Sequence, residues 1–544
     1  KRGIYADQAG YYPDSVKTAA FPFPADKFTV VDKKGKVCFE GTPSHHGTDN
    51  ISGDDVYTAD FSALREPGTY RVCADGVFSQ PFRIGNDICR GILRDISKAY
   101  YYLRCGCDLD EKYAGRYSHK ACHTGKALIY GSAELIETRG GWHDAGDYGR
   151  YVTSGCVACA QLLRAYKMFP EVFDGLMLNI PESASRIPDI ISEVRYELEW
   201  LLKVQRPDGS VCHKVTTVRH APFIMPEYDN EQLIAFPASS MAAADLTAVC
   251  AFASGIYRKF DEAFADRLRA AAELSYDWLG RNPDLLGFSN PFGCDTGSYS
   301  EESDIDNRLW AAAEMYALTG GQKYHDDFTR LLGSPYFEQN KYILTALGYY
   351  HVGGLGTLAY IFCDAPGKDE SLSERLGKLF IGEAGWLAEK ADRNGYRAAM
   401  EQRGYFWGSN MILMLNGIKF VIAYILTGDD TFMAYAEDQL HVLLGRNALG
   451  ISYITGIGTY RCSHPHYRPS EADGIEETVP GFVIGGPNRY LNDPAAKEFL
   501  SESTPPMKCY VDNVLCYSLN EITIYWNSPA VFVTAAICSK HGET

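Results

Sequence analysis

With 544 residues the chain is too long for one ordinary hydrophobic core, so at least two domains are expected. Hydrophobic residues make up 46% and charged residues 22%, the balance of a folded protein in water, and no apolar run approaches the roughly 20 residues that span a bilayer. A formal net charge of -17, uninterrupted by any basic stripe, argues against nucleic acid and membrane surfaces as partners and suits a neutral substrate.

The chain opens on a polar Lys1-Arg2-Gly3 and moves directly into strand-like sequence, so no signal peptide is visible and an exported protein would already have lost its leader. Residues 1–86 read as an all-β domain. β-rich runs at 27–31, 37–40, 55–61, 68–73 and 78–84 are separated by turn clusters such as Lys33-Lys34-Gly35 and Glu66-Pro67-Gly68, which fits a small antiparallel sandwich. After Gly85-Asn86-Asp87 the texture becomes helical. Periodic apolar stretches lie near 89–104, 152–168, 187–205, 239–258, 262–279, 307–319, 352–364, 371–391, 410–427, 431–445 and 518–538. About a dozen helices in residues 87–544 suggest helix pairs set around an axis, an (α/α) toroid, although periodicity does not separate this from a solenoid. No parallel strands are expected after residue 90. The Gly/Pro-rich stretches 280–303 and 446–515 are long loops of the kind that carry function. Sixteen cysteines are many, but several lie inside helical patterns (Cys156, Cys159, Cys250), and most are expected to be buried free thiols.

Two segments carry candidate chemistry. Gly140-Gly141-Trp142-His143-Asp144-Ala145-Gly146-Asp147-Tyr148-Gly149 sets two aspartates between glycines where a loop enters a helix. Glycines permit close ligand approach, and a helix N-terminus favours an ionised carboxylate, as a general base requires. A bare pair of this kind is far more often a helix cap plus a turn. Near the other end, Glu521 lies among apolar and aromatic residues in Tyr517-Ser518-Leu519-Asn520-Glu521-Ile522-Thr523-Ile524-Tyr525-Trp526. Burial there raises a carboxyl pKa and keeps a proton available, whereas a lone Glu of this kind also fits a salt bridge or a cap.

These stretches resemble glycoside hydrolase family 9, whose cellulases carry a D-A-G-D loop and a C-terminal N-E motif. The second segment fits the family pattern at Tyr510, Asp512, Tyr517, Glu521, Thr523, Asn527 and Ser528. A third element runs through Leu444-Gly445-Arg446-Asn447 and Ser452-Tyr453-Ile454-Thr455-Gly456 to His464-Pro465-His466-Tyr467-Arg468, where Tyr467 replaces a His of the usual form. The opening Tyr5-Ala6-Asp7-Gln8-Ala9-Gly10-Tyr11 is similar to the first strand of the immunoglobulin-like domain that precedes many members. The resemblance implies an (α/α)6 barrel after an immunoglobulin-like sandwich, and hydrolysis of β-1,4-glucosidic bonds with inversion, most simply as an endoglucanase. It implies Asp147 as base, Asp144 as helper in holding the water, Glu521 as acid, and His466 and Arg468 as sugar contacts. Inversion needs carboxyls roughly 6.5–9.5 Å apart.

Cys105, Cys122, His123 and His143 offer two thiolates and two imidazoles, a common tetrahedral zinc set. Their spacing is not that of a standard finger, and core cysteines with surface histidines are an open alternative; Cys107 competes with Cys105. Related family members carry the same four, which implies a structural zinc bracing the loop of Asp144. The family also implies calcium. Glu301, Glu302, Asp304 and Asp306 form one candidate cluster, and Asp473 with carbonyls of 470–475 another; Glu302, Asp304 and Asp473 are the expected ligands. Trp407, at a loop-to-helix junction, resembles a family sugar platform, and Tyr517 lies one turn before Glu521; core packing is the alternative for each. A non-enzymatic carbohydrate-binding protein needs no carboxylate trio. An exo-acting member is not separable from an endo-acting one by sequence, because cleft-closing loops decide that. Location outside the cell is expected.

Overall fold

The computed structural model describes residues 2–544. Its first part is a β-sandwich. One sheet orders Gly10–Tyr11, Phe82–Ile84, Gly68–Ala74, Phe28–Asp32 and Val37–Gly41, with Val77–Phe78 hairpinned onto Gly68–Ala74; the other orders Thr18–Phe21, Asp54–Asp60 and Ser44–Asp49. Inward-facing Tyr11, Phe21, Val30, Phe61, Val72 and Phe82 fill the space between them. The expected 78–84 strand divides in two. Ser44–Asp49 escaped sequence reading because it is an edge strand, mostly exposed, and carries no apolar alternation.

The last strand ends at Ile84 and the first long helix starts at Arg90. Helices Val152–Met168, Ser240–Tyr257, Ile305–Thr319, Gly353–Ile361, Ser409–Thr427 and Ile524–His541 form an inner ring; Ile524–His541 closes it by packing on both Val152–Met168 and Ser409–Thr427. The inner helices are buried nearly all round, whereas outer helices such as Gln322–Leu332 and Glu370–Arg393 bury one face. The domain is thus an (α/α)6 barrel. Two inner helices, Ser240–Tyr257 and Ser409–Thr427, are in fact long and apolar enough to cross a bilayer, which corrects the expectation of no such run; both are mostly buried here among other helices. A second correction concerns strands. Ala127–Ile129, Leu135–Ile136, Arg150–Tyr151, Lys214–Thr216 and Ile234–Ala235 form a small sheet in which Ala127–Ile129 runs parallel to Ile234–Ala235. These two- and three-residue strands join loops at one end of the barrel and leave the helical ring intact. All sixteen cysteines are free, twelve of them buried.

The two parts meet along a polar seam. Gln8 donates to the carbonyls of Gly450 (3.0 Å) and Tyr460 (2.8 Å) and accepts from the N–H groups of Thr459 and Tyr460. Asp7 meets His441 at 2.7 Å, and Arg446 donates to Thr18 at 2.7 Å. At the far end of the chain the Glu543 carboxylate accepts from the N–H groups of Ile88, Cys89 and Arg90, capping the first barrel helix.

Candidate active site

Three loops converge at one rim of the ring. The loop 140–149 enters helix Val152–Met168. It is clipped to the chain around Glu521 by pairing of Ala145 with Thr523 and by the Ile524 N–H donating to the Asp144 carbonyl (2.8 Å). The same loop touches the third: Gly146 packs against the His466 carbonyl, and its own carbonyl accepts from the Arg468 N–H (3.1 Å) and guanidinium (2.9 Å).

The expected 518–538 helix is broken at Glu521. Tyr517–Asn520 makes one turn, Glu521 is extended (φ -63°, ψ 157°), and a new helix starts at Ile524, capped by the Thr523 hydroxyl on the Trp526 N–H. The break turns Glu521 out of the helical register and into the cleft. Its Oε2 accepts from the Trp407 indole N–H at 3.1 Å.

Asp144, Asp147, Glu521 and Trp407 line one cavity of about 450 Å³, walled also by Tyr299, Tyr349, Phe406 and Tyr525. Aromatic walls with a few convergent polar groups suit a sugar ring. His466 and Tyr517 flank it, with ring centroids 5.8 Å apart, and Tyr517 lies 5.3 Å from Trp407. His466 Nδ1–H donates to the Val514 carbonyl at 2.7 Å. Arg468 is buried, and its Nε and Nη1 donate to the Ala221 and Gly146 carbonyls, so it ties two loops together beside the cleft.

The carboxyls are driven apart in charge. Burial alone would raise Asp147, but the hydrogen bond and charge of His220, the charge of Arg468 and the Gly149 N–H hold it well below the usual carboxylate range. Burial, then the charges of Asp147 and Asp144, push Glu521 up to about 8 against Arg468 and Trp407. Asp144 is raised to about 7 by burial and by Asp147, although the Ser154 and Tyr299 hydroxyls donate to its two oxygens and oppose the shift. Opposed states in one cavity are what an acid–base pair requires.

The four thiol and imidazole side chains also meet. Pairing of Arg104 with Trp142 sets Cys105 beside His143, and the ligand atoms of Cys105, Cys122, His123 and His143 all lie within 4.8 Å of one another in a buried pocket. His123 offers its Nε2 to Asp229 at 3.1 Å, while its buried Nδ1 has no partner. An imidazole held through one nitrogen with the other bare is the pattern of a metal ligand, so these residues fit a metal ion. In the expected calcium cluster the Glu301 carboxyl is buried with neither oxygen partnered, and Asp306 has one buried oxygen without a partner. Asp304 is paired with Arg308 at 2.8 Å, Asp473 accepts from the Ile475 N–H, and Glu302 is exposed. Among the described residues no second set of three or more His, Cys, Asp or Glu brings its ligand atoms as close.

Sequence reading missed His220 and Tyr299. Tyr299 lies in the 280–303 loop that its length had marked, whereas His220 sits in a stretch with no motif around it.

A ring of paired helices with aromatic walls around carboxyls of opposed state is the framework of a glycoside hydrolase. The family model for Glycosyl hydrolase family 9 matches residues 90–534, and that for the Cellulase N-terminal ig-like domain matches residues 1–79. The chain belongs to glycosyl hydrolase family 9. It is 43% identical to a cellodextrinase of Butyrivibrio fibrisolvens over 98% of its own length and 99% of the relative's. Among solved structures it is similar to a single mutant of a thermostable endoglucanase from Alicyclobacillus acidocaldarius, at 32% identity, with 99% of each chain covered and a TM-score of 0.92. It is also similar to a Zn-binding triple mutant of a family 9 endoglucanase, at 34% identity, with 96% of this chain and 99% of that one covered and a TM-score of 0.89.

Proposed function

We propose that this glycoside hydrolase cleaves β-1,4-glucosidic bonds with inversion of the anomeric carbon, acting within cello-oligosaccharides and soluble β-glucans. Asp147 is the general base that takes a proton from the attacking water, and Glu521 is the general acid that protonates the leaving oxygen. The observation that carries this reading is that the two carboxyls line one cavity in unlike settings, Asp147 beside His220 at 3.2 Å and the Gly149 N–H at 3.1 Å, Glu521 among aromatic walls with the Trp407 N–H at 3.1 Å. Asp144, bonded to Ser154 and Tyr299, steadies the water beside Asp147. Trp407, Tyr517 and His466 contact the sugars, with Trp407 holding the acid as well. NMR of the first-formed product tests the stereochemistry: the α-anomer is expected, and an initial β-anomer overturns the assignment.

A second reading, attack from chain ends on short oligosaccharides, draws on the cellodextrinase relative that matches nearly end to end. Product profiles on cellohexaose and on a soluble mixed-linkage glucan separate the two. An endo-acting enzyme lowers the viscosity of the polymer early, whereas an end-acting one releases a single small sugar from the start.

Zinc is the ion that suits Cys105, Cys122, His123 and His143, and a Zn-binding relative supports it. Bound there it supplies cross-linking and no chemistry, and the four residues hold the loop that leads into Asp144. We put the domain junction at residues 86 and 87, between the last strand and the first barrel helix, and the working place of the enzyme outside the cell, where polymeric glucans are found.

A further inference from the structure

The Asp147 carboxylate is held on one side only. Its Oδ2 lies 3.2 Å from Nδ1 of His220 and accepts from the Gly149 N–H at 3.1 Å and the Tyr151 hydroxyl at 3.5 Å. Among the described residues no donor reaches Oδ1. A carboxylate gripped by one oxygen has its other oxygen set in direction and free to accept a proton.

His220 is itself firmly presented. Its N–H donates to Asp295 at 3.0 Å, and the Asp295 N–H donates to the Val218 carbonyl at 3.0 Å. The next carbonyl, that of Ala221, accepts from Arg468 at 2.6 Å, and the Ile224 carbonyl accepts from the Tyr148 hydroxyl. Arg468 grips Gly146 with the same guanidinium, so one side chain fixes the His220 loop relative to the Asp147 loop. The imidazole lines the cavity and remains 38% exposed there. The titratable and charged groups that face it are Asp147, Arg468, Asp295 and His466.

We propose that His220 is a positioning residue for the base: its imidazole, paired with Oδ2 of Asp147 at 3.2 Å, steadies the carboxylate and leaves Oδ1 turned to the nucleophilic water. This rests on the reading of Asp147 as the base. The imidazole contributes twice. Packed 3.2 Å from Oδ2 it limits rotation of the carboxylate, and as a partly charged partner it keeps that carboxylate ionised in a buried site. Burial works against protonation of His220, but its contact with Asp147 outweighs this and raises it.

His220→Ala, His220→Asn and Asp147→Asn, each checked for an unchanged melting temperature, test the assignment on cellohexaose. His220→Ala is expected to lower kcat about 10- to 100-fold, the scale of a misplaced catalytic group, with KM changed less than about threefold. The acid limb of its kcat/KM profile is expected to move up by about one pH unit, because Asp147 loses both a donor and a charge. His220→Asn keeps a neutral N–H near the place of Nδ1 and is expected to recover most of kcat while its acid limb stays raised. An unchanged kcat, a loss confined to KM, or an unmoved acid limb overturns the proposal; a loss confined to KM marks His220 as a plain sugar contact. If the alanine variant melts early, the acid limb of His220→Asn decides. An active Asp147→Asn removes the base reading and this inference with it, whereas an inactive Asp147→Asn beside a wild-type-like His220→Ala removes the inference alone.

Discussion

The α-carbon of Gly146 lies so close to the carbonyl oxygen of His466 that a β-carbon added there would stand 1.8 Å from it. No side chain fits this gap, and the contact is backbone on backbone, so neither side can swing away. Gly146→Ala is therefore expected to push the 140–149 loop off the 464–468 loop. Overpacking of this kind costs about 1–3 kcal/mol, and a displacement near 1 Å at a catalytic group costs about 10² in rate. Thermal melts and kcat should both fall; a melting temperature and kcat equal to wild type would show that the loops do not need this contact.

The two carboxyls should fail differently when neutralised. Acid or base assistance is worth about 10²–10⁴-fold, so Asp147→Asn and Glu521→Gln should both be nearly inactive on cellodextrins. On an aryl glycoside whose leaving group departs without a proton, Glu521→Gln should recover much of its rate and Asp147→Asn none. Equal recovery by both, or by neither, contradicts the assignment of roles.

The pH profile follows from the same pair. As the proposed acid Glu521 works protonated, and it is raised to about 8, first by burial and then by Asp147 and Asp144, so kcat/KM should hold through neutrality and fall as pH rises past about 8. As the proposed base Asp147 works ionised, and it is held far below the usual carboxylate range, so the acid limb should appear only at strongly acidic pH. The Trp407 N–H on Oε2 favours the Glu521 anion, so Trp407→Phe should shift the alkaline limb upward. An alkaline limb that stays in place or moves down in that variant assigns the limb to another group.

Purified protein should carry close to one zinc, measured by elemental analysis, and Cys122→Ser should lose it. Asp229 touches only the far nitrogen of His123, so Asp229→Ala should keep all four ligands yet bind the metal about 10- to 100-fold more weakly. Chelation should lower the melting temperature. Protein free of zinc with an unaltered melt means the cluster is four packed side chains and nothing more.

What could be read from the residues was whatever periodicity or spacing encodes. Near-continuous apolar stretches such as 239–258 and 410–427 gave the inner helices, and Gly-Asp-rich spacing gave the 140–149 loop. The same apolarity hid two things. It made Ser240–Tyr257 and Ser409–Thr427 resemble membrane spans once their full length was seen, and it ran one helix through Glu521, where the Thr523 cap starts a new one. His220 and Tyr299 were illegible for the opposite reason. Each reaches the cavity from a loop whose course is fixed by distant partners, Asp295 and Arg468 for the first and the hydroxyl-to-Asp144 contact for the second. The acidic cluster 301–306 was legible by its spacing, but which of its members are paired was not: in space Asp304 meets Arg308, whereas the Glu301 oxygens are buried without partners.

The closure of the ring by Ile524–His541 bears on how the protein is made. The last inner helix and the glutamate just before it leave the ribosome after the other five inner helices, and Glu543, which caps the first barrel helix across more than four hundred and fifty residues, follows them. Until then the helices Val152–Met168 and Ser409–Thr427 lack the neighbour that covers them both. The nascent chain is thus a ring with one stave missing, holding apolar surface open and the Asp147 loop without its clip to Thr523 and Ile524. Domains fold as units during synthesis, and exposed apolar surface invites aggregation. The same late event that seals this surface also completes the cavity in which Glu521 meets Asp144 and Asp147.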